Sequence, residues 1–229
     1  DTKAPQGGDI LRDPSGEPTG IFVDNAMALF DPVLPARNKI QKEILAAQAH
    51  CLSLGLTGVH DAGIDLEEVD VYEALVKEKA LHLRVYGMLF MRPGCESILQ
   101  DRSPVEGTRF SLRAIKILLD GALGSRGAWL KADYSDAIGS QGFPLHEMST
   151  LGAWVRLARE KGWQVCTHAI GDRAVGETLD AYERIAGLAK RHPELVMVLE
   201  HMGYRFHVDL AIDLARRFGN IYLAPTVTA

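Results

Sequence analysis

The sequence has no run of about 18 apolar residues, so it predicts no membrane-spanning helix. It has few cysteines, and the three present, Cys51, Cys95 and Cys166, are scattered with no Cys-x-x-Cys spacing. That excludes a disulfide framework and a structural zinc finger, and it suits a reducing cytoplasmic setting. Basic residues are not in excess: 25 Lys and Arg stand against 30 Asp and Glu, for a formal net charge of -5. Nucleic-acid binders carry the opposite balance. No His-x-His pair occurs, and no Gly-Lys-Ser/Thr closes a glycine-rich stretch. The first residue is Asp1 and no signal-like segment follows, which predicts processing or truncation.

What is present is ordinary globular composition. The 229 residues are 47% hydrophobic and 24% charged, enough to bury a sizeable core. Residues 1–40 have no steady period and hold Gly7-Gly8, Pro14-Ser15-Gly16 and Pro18-Thr19-Gly20, all turn chemistry. They predict a loop with one hairpin or short helix, lying as a lid over a second region, 41–229. There a rhythm sets in. Helices are predicted at 41–54, 66–79, 149–161, 173–190 and 207–218, with a short one at 95–102. Apolar strands are predicted at 57–61, 83–89, 112–119, 163–168, 195–201 and 220–226. Gly55 and Gly219 stand where helix-terminating glycines belong, and Asp65 with Glu68 forms a capping box.

Alternating strands and helices imply a parallel sheet with right-handed crossovers. The expected fold class is α/β of the (β/α)8 TIM-barrel type, incomplete here with about six parallel strands. A doubly wound open sheet would keep the same rhythm. In either case chemistry belongs at the carboxyl ends of the strands. His168 ends one strand and His201 the next, and His60 with Asp61 ends another. Lys116 lies inside the apolar run Ile115-Lys116-Ile117, with Asp120 two strand periods on. A buried ammonium is costly without a partner. One reading is a structural ion pair with Asp120 or Asp61. The other is that burial favours the neutral amine, which can add carbon dioxide and become an anionic carbamate ligand. Asp172 occupies a helix-capping position, with substrate contact as the alternative. The stretch Gly121 to Gly127, with Arg126, resembles an anion cradle without the P-loop spacing. Trp129 and Tyr134 would wall a pocket or cover the rim of the sheet.

Several of these stretches together resemble the amidohydrolase family 3 branch of the amidohydrolase superfamily, and within it metal-dependent hydrolases related to N-substituted formamide deformylases. The residues are Ile115-Lys116-Ile117 through Asp120-Gly121-Ala122-Leu123-Gly124-Ser125-Arg126, then Thr167-His168-Ala169-Ile170-Gly171-Asp172-Arg173-Ala174, Leu179-Asp180-Ala181 and Glu200-His201. Gly8-Asp9-Ile10, Asp13 to Gly16 and Pro18-Thr19-Gly20 resemble the family's early lid segment.

The resemblance implies a deformed (β/α)8 barrel with a small β-sandwich, the sandwich being absent from this chain. It implies zinc or another divalent metal, with Lys116 as carbamate bridge and His168 and His201 as strand-end ligands. Asp120, Trp129, Asp172 and Arg173 are the expected substrate contacts. The family's His-x-His and final aspartate have no counterpart, so no catalytic residue is assigned and the chain reads as an internal stretch. The expected reaction is hydrolysis of a non-peptide C–N bond, amide or formamide, in a small-molecule substrate. Two alternatives stand beside it: a phosphate-binding barrel built on residues 121–127, and a non-catalytic fragment that self-associates through open sheet edges.

Overall fold

A computed structural model describes residues 3–30, 37–189, 197–200 and 221–224, with side chains described as far as residue 181. The predicted helix at 207–218, His201 and Gly219 lie outside the described residues. Contacts cluster into two compact units, one of Asp1–Pro32, Leu118–Arg156 and Thr167–Ala229, the other of Val33–Ile117 and Leu157–Cys166.

The aperiodic N-terminal stretch is a hairpin. Strands β1 (Gly8–Arg12) and β2 (Pro18–Asp24) pair antiparallel, with Gly8 opposite Asp24. Its turn is built by Asp13, whose Oδ1 accepts from the Ser15 amide and hydroxyl and from the Glu17 amide at 2.6–3.0 Å. The Ser15 bond, the largest influence, holds this carboxyl below its ordinary pKa. Gly16 supplies the left-handed φ of 90° that the turn requires. A 3-10 turn, Asn25–Leu29, follows at once.

The rest alternates as the sequence pattern predicts. Helix α1 (Arg37–Ser53) precedes β3 (Gly58–Ile64), α2 (Leu66–Lys77), β4 (Arg84–Phe90), α3 (Glu96–Asp101) and β5 (Phe110–Leu118). Then come α4 (Met148–Glu160), β6 (Gln164–His168), α5 (Asp172–Ala189), β7 (Met197–Glu200) and β8 (Ile221–Ala224). The sheet order is the chain order, β3-β4-β5-β6-β7-β8. The pairs β3/β4, β4/β5 and β7/β8 are parallel. This is an α/β fold of incomplete (β/α) barrel type.

Local chemistry explains the ends of several elements. After α1, Gly55 takes φ 81°. Its amide donates to Leu52 O and the Leu56 amide to Cys51 O, so both halves of a Schellman turn are made. Asp65 and Glu68 form the predicted capping box, the Asp65 amide donating to Glu68 Oε2 at 2.8 Å. The predicted helix face Ile44, Leu45, Gln48 and Leu52 is only partly interior: Gln48 is buried, and Leu52 is exposed. Gln48 answers its burial by accepting from the amides of His82 and Leu83 and donating to Ala80 O. An amide here does what a leucine could not, because it satisfies the backbone leading into β4.

Strand β3 differs from expectation. It runs to Ile64, so His60 and Asp61 lie in mid-strand instead of at its end. The strand continues because Ala62 and Ile64 still find partners in Met88 and Leu89, across an irregularity at Gly63. Strand β5, in contrast, is apolar and buried through Ala114, Ile115 and Ile117, as expected of a strand covered on both faces.

Candidate functional site

The chemistry gathers where β5 and β6 end. Beyond β5, the Leu119 amide donates to His168 O at 2.9 Å, and the Leu145 amide donates to Leu119 O at 2.7 Å. Asp120 comes next and is 1% exposed. Its Oδ1 accepts from the Ile170 amide at 2.9 Å; its Oδ2 accepts from the amides of Gly171 at 2.7 Å and Trp129 at 2.9 Å. One carboxylate thus joins the residue after β5, the long loop and the turn that follows His168. Burial raises its pKa, with the charge of Asp24 adding to the rise and the three amide bonds opposing it.

Trp129 is the second hub. Its carbonyl accepts from the amides of Arg173 and Ala174, each at 3.2 Å. These are donors of the first turn of α5 that the helix itself leaves unpaired. The sequence places that capping on Asp172. The structure corrects this: Asp172 is already the first residue of α5, and its Oδ1 accepts from the Lys131 amide at 2.9 Å. Capping came from a distant carbonyl because Gly171 lets the loop approach. The Arg173 guanidinium lies 5.0 Å from the centre of the Trp129 ring, within cation–π range. Asp120, Trp129, Asp172 and Arg173 are therefore one connected group, in the same unit as His168. His168 is half-buried at the last position of β6.

The glycine-rich stretch folds on itself. Gly121 N donates to Gly127 O, Arg126 N to Leu123 O, and the amides of Gly127 and Ala128 both to Ala122 O. The Arg126 side chain pairs with Asp136 at 3.1 Å on the exposed side. Tyr134 is buried, its hydroxyl donating to Ala128 O at 2.8 Å. An anion cradle needs free inward amides and an uncommitted cation; here the amides of Gly121, Arg126 and Gly127 and the arginine side chain are engaged. A carboxylate, that of Asp24, also enters the loop, and burial raises its pKa.

Sequence reasoning missed Asp24. Its residue type is unremarkable at the end of a strand, and only the packing singles it out. It also missed His146, which sets its ring against Trp154 at 4.8 Å and whose pKa burial lowers.

In the other unit, Lys116 is 4% exposed in β5. It stands opposite Phe90, and its carbonyl accepts from the Met91 amide at 2.8 Å. Asp61 accepts from the Tyr72 hydroxyl at 2.7 Å, and burial first, then Asp61, pushes that phenol well up. The Tyr86 hydroxyl donates to Gln164 Oε1, and burial raises it to about 12. An open cleft of about 590 Å³ is lined by Gly58, His60, Arg84, Tyr86 and Arg109. It borders the first residues of β3, β4 and β5, the end of a parallel sheet that does not host catalysis in barrel folds. Among the described residues no group of three or more His, Cys, Asp or Glu gathers to hold a metal ion, and no helix is long and apolar enough to cross a membrane.

Residues 1–203 match the model of the Amidohydrolase family (Amidohydro_3). The chain is similar to YtcJ of Bacillus subtilis (strain 168), at 34% identity over 95% of this chain and 43% of that protein. It is also similar to the N-substituted formamide deformylase of Arthrobacter pascens, at 28% identity over 95% of this chain and 43% of that protein. The chain spans less than half the length of these curated relatives. The crystal structure of an uncharacterized metal-dependent hydrolase from Pyrococcus furiosus superposes with a TM-score of 0.67 at 20% identity, covering 89% of this chain and 51% of that one. At that identity the likeness is one of fold.

Proposed function

The chain belongs to the Amidohydrolase family, and on that premise we propose that it forms part of a metal-dependent hydrolase acting on a non-peptide C–N bond of the amide or formamide class. The proposed ligands of a divalent ion, zinc in this reading, are His168, Lys116 as its carbamate, and His201. The observation that carries the proposal is Lys116: an amine 4% exposed, inside a strand whose neighbours are fully buried aliphatic residues. A histidine nitrogen and the anionic oxygen of a lysine carbamate are donors that suit zinc. His168 ends its strand, where parallel α/β folds place their chemistry.

A bound divalent ion would supply Lewis acidity toward the scissile carbonyl and would acidify water. The chain's own contribution is placement. Asp120 fixes the backbone of the turn after His168, and Trp129 with Arg173 presents an aromatic and cationic surface beside it. Asp120 contributes by holding the backbone, while Trp129, Asp172 and Arg173 are the proposed substrate-facing residues.

The relative named for N-substituted formamide turnover suggests the substrate to try first. The test is metal content by mass spectrometry, together with hydrolysis of an N-substituted formamide, in the protein and in His168→Ala. The expected result is zinc bound by the protein, with metal and turnover lost together in the variant. Unchanged turnover in His168→Ala would end the proposal.

A further inference from the structure

Two unfavourable features meet at Asp24. Its backbone has φ 50° and ψ -121°, a region that is strained for any residue but glycine. Its Oδ2 is buried and has no hydrogen-bond partner among the described residues. Two glycines of the 121–127 loop stand against it. A Cβ on Gly121 would lie 2.2 Å from Asp24 Oδ2, and one on Gly127 would lie 2.1 Å from the same atom. The hydrogens in place of those Cβ atoms point at the carboxylate, in the manner of weak Cα–H···O contacts. Strain of this kind persists only where the surroundings over-determine it.

The surroundings do so. The next residue, Asn25, donates its amide to Gly7 O and its side chain to Gln6 O and Leu145 O at 2.9–3.0 Å. Leu145 in turn donates to Leu119 O. The end of the hairpin is thus anchored on one side to the chain beside Asp120, and Asp24 is driven into the loop on the other. Gly121 follows Asp120 directly, and Gly127 lies two residues before Trp129.

We propose that Asp24 is a positioning residue of the candidate site: wedged between Gly121 and Gly127, it sets the 121–127 loop and so holds Asp120 and Trp129 in register with the turn after His168. Its effect on hydrolysis rests on the function proposed above; its effect on the loop does not.

The decisive experiment is a rescue. Gly121→Ala, Gly127→Ala, Asp24→Gly, Asp24→Asn and the two doubles pairing Asp24→Gly with each alanine are compared by thermal melting. The amides of Trp129, Ile170 and Gly171, all held by Asp120, are followed by hydrogen exchange. Each alanine variant should melt several degrees lower and exchange these amides about tenfold faster. Asp24→Gly should restore the melting temperature of the alanine variants, because the nearest atoms that an added Cβ meets at either position, at 2.1–2.2 Å, belong to the Asp24 carboxylate. Asp24→Gly alone relieves the backbone strain, yet it should still speed exchange at the three amides about tenfold, while Asp24→Asn, which keeps the shape, should not.

Additive losses in the doubles would overturn the proposal. So would exchange at the three amides unmoved by Asp24→Gly, a variant that folds without strain even where the alanine variants fail to fold. With zinc and an N-substituted formamide, Asp24→Gly should lower kcat at unchanged KM, and an unchanged kcat would overturn the positioning role. If the unmodified protein hydrolyses no formamide, the hydrolase reading falls, and the exchange result still decides the wedge.

Discussion

Gly171 lies so close to Trp129 that a Cβ at this glycine would stand 1.9 Å from the Trp129 carbonyl oxygen and 2.4 Å from its carbon. The obstacle is backbone, and that backbone is fixed by two bonds from α5 and one from Asp120. Gly171→Ala should therefore be strongly destabilising, by about 2–4 kcal/mol. Chemical denaturation measures it. A loss below about 0.5 kcal/mol, the size of an ordinary surface change, would mean that the loop is free to move.

Asp120→Asn tests the three-amide clamp. An asparagine keeps one acceptor oxygen and turns an NH2 toward a backbone N–H that needs an acceptor. At least one buried amide then loses its partner, and the expected cost is about 2–4 kcal/mol. Exchange should accelerate at Trp129, Ile170 and Gly171 ahead of the amides of α5. Uniform acceleration across the helix would point to global loosening instead.

The pH dependence of Asp24 has a definite sign. Burial raises this carboxyl above its ordinary 3.8, so between the two values the folded chain binds more protons than the unfolded one. Its contribution is fullest below 3.8 and is lost as pH rises through the raised folded value. The titrating neighbours are Asp120 and Tyr134, which both feel its charge. Asp24→Asn should remove this loss, so its stability relative to the parent should grow from about pH 4 toward about pH 7. Urea melts across that range give the answer, and a difference independent of pH would contradict the burial of a titrating Asp24.

Arg126→Ala should matter little. Both Arg126 and Asp136 are well exposed, and solvent screens their pair. Inorganic phosphate at millimolar concentration should leave the melting temperature of the parent unmoved. A phosphate-dependent rise abolished by Arg126→Ala would restore the anion-cradle reading.

Much of the fold was legible in the residue pattern because the signals are local. Gly55 marked the end of α1, since a left-handed residue favours glycine wherever it occurs. Asp65 and Glu68 marked the start of α2 because both halves of a capping box lie within one turn. The end of β3 was not legible. His60 and Asp61 are polar residues that resemble a strand terminus, while the continuation to Ile64 depends on partners supplied by β4.

The site divides in the same way. The positions of Lys116 in an apolar strand and of His168 at a strand end were determined by the sequence alone, through hydrophobic pattern and element order. What Asp120 binds was not, because its partners are backbone amides 9, 50 and 51 residues away, and any residue type can supply an amide. The cap of α5 passed from Asp172 to the Trp129 carbonyl for the same reason. Asp24 is the extreme case: nothing in its neighbours in sequence distinguishes it. It becomes significant only when folding brings Gly121 and Gly127 against its carboxylate, because close packing acts between atoms that the chain order keeps far apart.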